Sequence, residues 1–191
     1  MELVQPIRSV KQIESMKKYL RNGPDGLRNN LLFILGINSG LRVSDLLSLK
    51  LKDIVDEKKK PVDRIKLKES KTKKTKDFPL GKTAQKAIAE YIASIENDFD
   101  PCHPVFLSKK GNSISRVRAW QILNGAANTV GIKENIGCHT LRKTFGYHAH
   151  KQGADITQIQ QLLNHSSPKV TLRYIGITQD ELDNICINLN L

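Results

Sequence analysis

The chain of 191 residues is poor in cysteine, in aromatics and in acidic side chains. Its three cysteines, Cys102, Cys138 and Cys186, are too few and too scattered for a disulfide framework, and they read as reduced thiols. Cys102 stands beside His103 and Cys138 beside His139, yet there is no CxxC pair and no zinc-ligand spacing. Neither a metal nor another cofactor is expected. Phe, Trp and Tyr make up only 5% of the residues, which excludes a single-strand binder built on stacked aromatics. No apolar run approaches bilayer length, and the opening MELVQPIRSVKQ lacks the apolar core of a secretory signal, so a soluble, cytoplasmic protein without membrane contact is expected. Internal repeats, low-complexity segments and linkers are lacking too. One main hydrophobic core suits this length, hence a single domain over residues 1–191.

The shortage of acids is itself informative. Thirty-one Lys and Arg against nineteen Asp and Glu leave a formal charge of +12, with a pI near 9.7. Such a balance favours a polyanionic partner, nucleic acid first. A basic surface kept for solubility is the bland alternative.

Periodicity places the elements. Ser9 with Gln12 has capping-box form ahead of Ile13, Met16 and Leu20, and Leu27, Leu31, Ile34 and Leu35 mark a second, largely buried helix. Asn38-Ser39-Gly40 ends it, and Arg42 opens a third helix over Val43 to Leu49, with Asp45 in the first turn. From Leu51 the period changes to two: Ile54-Val55, then Ile65 and Leu67, then Phe78 and Leu80 predict a small antiparallel sheet of about three strands. Its Lys66, Lys68, Lys71, Lys73, Lys74 and Lys76 read mostly as a solvated edge. Helices follow from Thr83, from Ser115 (carrying Trp120, read as core, with Leu123, Ala127 and Val130), and from His139. Asp155 caps a helix in which Ile156, Ile159, Leu162 and Leu163 face inward, and Ser167-Pro168 starts a short helix through Tyr174. A tail helix from about Thr178 to the end carries Leu182, Ile185, Cys186 and Leu189 on an apolar face, to be packed on its own domain or on a neighbouring subunit. The fold class is α+β, mostly helical.

Some of these residues suit phosphodiester chemistry. Without a metal, it needs cations on the non-bridging oxygens, a nucleophile, and an acid for the leaving oxygen. Arg42 and Arg142 each lie at a helix start, where a planar, permanently charged fork and backbone N–H groups favour phosphate. His139 and His165 can donate to the same phosphate or relay a proton, and Tyr174 can form a phosphoester. Taken singly, each has an ordinary reading as a surface arginine, a cap or a core residue.

Order and context decide between these readings. SGLRVSDLLSL around Arg42, the lysine hairpin ending in FPL, CHTLRKTF around His139 and Arg142, and LLNHSSPKVTLRYI spanning His165 and Tyr174 together resemble the catalytic domain of the tyrosine recombinases, the phage-integrase family. The similarity runs from about Ser9 to Asp183. It implies a site-specific DNA recombinase, serving DNA recombination and integration, in which Tyr174 attacks the scissile phosphate, is joined to the DNA 3′ end and frees a 5′ hydroxyl. By the same resemblance Arg42 and Arg142 clamp the phosphate and His139 and His165 assist. Lys71, selected over Lys73 and Lys74 by counting back from Pro79-Leu80, protonates the leaving oxygen. Neither metal nor ATP is implied. The partners implied are double-stranded DNA and sister subunits: a homotetramer on two DNA sites, a monomer or weak oligomer without DNA. Asp45 stands where the family more often has glutamate, an acid serving an arginine, and Lys143 where it commonly has histidine or arginine. The family's N-terminal core-binding domain is expected to be absent. A non-cleaving DNA-binding or accessory protein on the same fold, and a type IB topoisomerase, are the competing readings.

Overall fold

Short polar side chains ahead of apolar stripes set where the helices start. The computed structural model describes residues 4–71, 73–177 and Ile187. Helices α1 (Val10–Asn22), α2 (Gly26–Ser39) and α3 (Val43–Leu47) precede a hairpin of β1 (Arg64–Lys68) and β2 (Thr75–Pro79). Then come α4 (Lys82–Ser94), α5 (Arg116–Thr129), α6 (Cys138–Lys151), α7 (Ile156–Leu163) and α8 (Pro168–Ile175). Ser9, Ser115, Asp155 and Ser167 each accept a backbone N–H in the first turn of the helix they precede, as expected, and Pro168 fills the N1 position of α8. The tail helix expected from Thr178 lies outside the described residues.

The core sits around α2, where Leu31, Leu32, Phe33 and Leu35 are all buried, against α1, α4 and α6. A second, smaller cluster of Tyr147, Ile159, Leu163 and Ile175 lies between α6, α7 and α8. Helix α6 belongs to both. Leu141 on one side packs so closely on α2 that a Cβ at Gly36 would come within 2.4 Å of it. Gly146 on the other side faces Ile175 and Leu163. The two packed faces of α6 thereby fix the last helices relative to the first ones.

The structure corrects three expectations. Among the described residues the sheet has two strands, not three: β1 and β2 pair in antiparallel register, Ile65 opposite Phe78 and Leu67 opposite Lys76, while Ile54-Val55 contributes only an isolated bridge, Val55 to Pro61. Pro61 has no N–H to extend a ladder. Trp120 is not core but 46% exposed, because α5 turns Ala119, Leu123, Ala126 and Ala127 inward, a stripe that keeps Leu123 and Ala127 but has Ala119 and Ala126 in place of Trp120 and Val130. Leu162 is likewise 46% exposed, leaving Ile159 and Leu163 to anchor α7.

Candidate active site

Gly40 closes α2 in the left-handed conformation (φ +59°), which costs glycine little, and a Cβ there would lie 2.7 Å from the Phe145 ring. Its carbonyl is thus turned toward α6. Arg142, buried in α6, donates to Gly40 O at 2.6 Å and also to Leu163 O at the end of α7. One guanidinium thereby joins the ends of two helices, whose terminal carbonyls lack partners of their own.

Arg42 occupies the N-cap position of α3 and pairs with Glu69 at 2.8 Å. The arginine side chain is 20% exposed and the carboxylate 5%, so the acid lies beneath and the guanidinium lies nearer solvent. Asp45, fully buried, accepts from the backbone N–H of Ser70 at 2.8 Å. The acid that pairs with Arg42 is therefore Glu69, and Asp45 fastens the hairpin instead of an arginine.

Tyr174, in the last turn of α8, reaches the same pocket. Its hydroxyl is 3.4 Å from His139 Nδ1, and its ring meets the His165 ring edge-on with centroids 4.7 Å apart. Burial pushes the phenol above its ordinary pKa, while Arg142 and Arg42 pull it down. His139, in the first turn of α6, is held below its ordinary value by burial and then by Arg116, Arg142, Lys143 and Arg42. His165 shares Nδ1 with the Thr171 hydroxyl at 3.2 Å, and burial followed by Arg142 and Arg42 lowers it to about 4. Both shifts favour the neutral imidazole.

Arg42, His139, Arg142, His165 and Tyr174 thus come together, although they are spread over most of the sequence. Lys71 does not join them: it is exposed in the turn after Ser70, and no contact ties it to the others among the described residues. A different lysine points into the pocket. Lys76 Nζ donates to Ser39 O at 3.1 Å, Leu162 O at 3.2 Å and Gly40 O at 3.5 Å. Burial first, then Arg142 and, less strongly, Arg42, push its pKa down to about 8, with Glu69 opposing.

Glu69 and Lys76 were not singled out from the sequence, yet a signal was available. Period two puts Glu69 on the face of Ile65 and Leu67, and Lys76 on the face of Phe78 and Leu80, which is the buried face of the hairpin. No group of three or more His, Cys, Asp and Glu placed to hold a metal occurs among the described residues. No helix of the described residues is long and apolar enough to cross a membrane.

This arrangement of helices and hairpin is that of solved recombinases. The site-specific recombinase XerH, solved bound to palindromic difH substrate in a post-cleavage complex, superposes with a TM-score of 0.75 at 19% identity, over 97% of this chain and 53% of that one. A family model described as the phage integrase family matches residues 9–181, and the chain belongs to that family. A probable integrase/recombinase of Bacillus subtilis, YoeC, is 44% identical over 182 residues, covering 94% of this chain and 93% of the relative. Tyrosine recombinase XerD of Corynebacterium glutamicum is 34% identical over 161 residues, 83% of this chain. The chain spans 51% of that XerD, so it matches one part of a longer relative.

Proposed function

We propose that the chain is the DNA-cleaving and rejoining domain of a site-specific recombinase, acting on duplex DNA through a 3′-phosphotyrosyl intermediate. The observation that carries this reading is the placement of the Tyr174 hydroxyl, 3.4 Å from His139 Nδ1 and near enough to Arg142 and Arg42 for both to favour its ionised form. Arg42 and Arg142 bind the non-bridging oxygens of the scissile phosphate, where planar forks stabilise charge that grows in the transition state. His139 takes the phenol proton as Tyr174 Oη bonds to phosphorus. The bond to the 5′ oxygen breaks, and that oxygen receives a proton from a lysine. His165 hydrogen-bonds the phosphate as a neutral group. Attack by another strand's 5′ hydroxyl on the phosphotyrosine reverses these steps and completes strand transfer, with the bond energy kept throughout.

Lys71 is our first candidate for the acid, carried to the phosphate when DNA seats the hairpin. A specific observation favours a second candidate: Lys76 already lies in the pocket with its pKa brought down to about 8, which suits a proton donor working near neutrality. The +12 charge supports DNA as the partner, with affinity that falls steeply as salt rises. We further propose a cytoplasmic setting, a single catalytic unit whose tail packs on itself or a neighbour, and a tetramer on two DNA sites.

The test is incubation with a pool of nicked duplexes randomised over the cleavage core. A denaturation-resistant protein–DNA adduct is expected, and none from Tyr174→Phe. Adduct of equal yield from that variant would overturn the assignment of the nucleophile. Absence of any adduct with the native chain, under conditions where it binds the pool, would favour the non-cleaving reading.

A further inference from the structure

Lys143 is a buried ammonium with no acid beside it among the described residues. It follows Arg142 in α6, retains only 7% of its surface, and forms no ion pair among the described residues. What it faces is the ring of Tyr174, with Nζ 5.2 Å from the centroid. Among the described residues the charged and titratable groups around it are Arg8 from the segment before α1, His139 one turn earlier in α6, and Tyr174 from α8. None of these supplies a formal negative charge while the phenol is protonated. A desolvated cation with no carboxylate is costly unless something electron-rich offsets it. The π face of an aromatic ring does so in part, and a phenolate ring, richer in electrons than a phenol, does so better.

We propose that Lys143 is a positioning residue for Tyr174: its ammonium holds the ring by one face, alongside the edge-on contact with His165, and favours the phenolate that attacks phosphorus. The inference rests on Tyr174 being the nucleophile. Burial alone makes this phenol harder to ionise, and the arginines that offset burial become engaged by the phosphate once DNA is bound. Lys143 lies over the ring face and stays available to the phenolate at the moment of attack. Its charge adds to that of the phosphate clamp without competing for the phosphate oxygens.

The test reads the phenol directly and needs no DNA. The chain has four tyrosines, so labelling with tyrosine carrying carbon-13 at Cζ gives four resonances, and Tyr174→Phe identifies the one of interest. Burial and Arg8 make Lys143 lose its proton below the usual lysine range, whereas the buried phenol ionises above its own, so the charge is read in Lys143→Arg, whose Tyr174 midpoint is expected to lie about one pH unit below that of Lys143→Met, the size of a desolvated cation–π contact. The native midpoint is expected to lie between those of the two variants, since the lysine is charged for only part of the titration. Equal midpoints in Lys143→Arg and Lys143→Met overturn the proposal, as does a higher midpoint in Lys143→Arg. Native-like amide spectra of the arginine variant separate the effect of charge from a failure to fold. In single-turnover adduct formation, Lys143→Met is expected to lose roughly 10- to 30-fold at neutral pH, with a deficit that shrinks as pH rises. A deficit equal at every pH contradicts the proposal. If Tyr174→Phe still forms adduct while the resonance shifts as expected, the nucleophile has been misassigned and the contact itself stands.

Discussion

The Glu69 carboxylate lies beneath the Arg42 guanidinium at 2.8 Å, and the pair joins the end of β1 to the start of α3. Glu69 leaves the solvent-facing side of Arg42 free for an anion. Glu69→Gln is expected to keep the fold, lower stability by about 2 kcal/mol, and reduce adduct formation by at least tenfold, because a charge-assisted bond becomes a neutral one and Arg42 loses its orientation. Urea midpoints and single-turnover rates read the two effects. A faster variant would mean that the carboxylate competes with the phosphate for Arg42 instead of orienting it.

The acid can be assigned with a leaving group that needs no proton. On an ordinary phosphodiester, Lys71→Ala is expected to lose about 10²–10⁴-fold in cleavage. A 5′-bridging phosphorothiolate, whose thiolate leaves unprotonated, is expected to restore it. Lys76→Met is expected to be slow on both substrates, since its ammonium binds carbonyls at the ends of α2 and α7. Rescue of Lys76→Met and not of Lys71→Ala would make Lys76 the acid.

His165 gives the DNA-free protein an acid sensitivity of definite sign. Its folded pKa of about 4 lies below the ordinary 6.5, so between these values the unfolded chain binds more protons than the folded one. The His165 contribution to stability is expected to fall as pH drops from 6.5 toward 4 and to level off below. His139, also lowered, adds in the same direction. Thermal unfolding across this range should show a smaller slope in His165→Gln, and an equal slope would show that the imidazole is not held neutral.

Gly40→Ala tests the junction that holds both Arg142 and Lys76. A residue at φ +59° with a Cβ 2.7 Å from Phe145 must move or displace the ring. A loss of about 1–3 kcal/mol is expected, with a larger proportional loss of cleavage because the carbonyl that fixes Arg142 moves too. Unchanged urea midpoint and rate would show that the junction tolerates the shift.

Much of this was legible in the sequence where the cause is local. Ser115, Asp155 and Ser167 cap their helices because a short polar side chain meets the first free N–H groups whatever lies further away. The pocket residues were legible through their motifs, although the sequence alone cannot show that α6 packs on α2 and α7 at once. Glu69 and Lys76 were hidden by composition. An acid and one lysine within a lysine-rich hairpin read as solvated, and their burial results from docking the hairpin on α2, α3 and α7, a contact between distant parts of the chain. Trp120 was misplaced at the edge of its stripe, since alanines at positions 119 and 126 carry too little hydrophobicity to outweigh a tryptophan in the pattern. The third strand failed for a reason that was visible: Pro61 stood where its ladder would have to continue.

The central claim is that Tyr174 becomes covalently joined to a DNA 3′ end. Trypsin digestion of the trapped adduct, followed by mass spectrometry, locates the bond. The expected result is a nucleotide carried on the Tyr174 peptide through its 3′ phosphate, with a free 5′ hydroxyl on the released strand. Attachment at any other residue, or a linkage through a 5′ phosphate, would contradict the account.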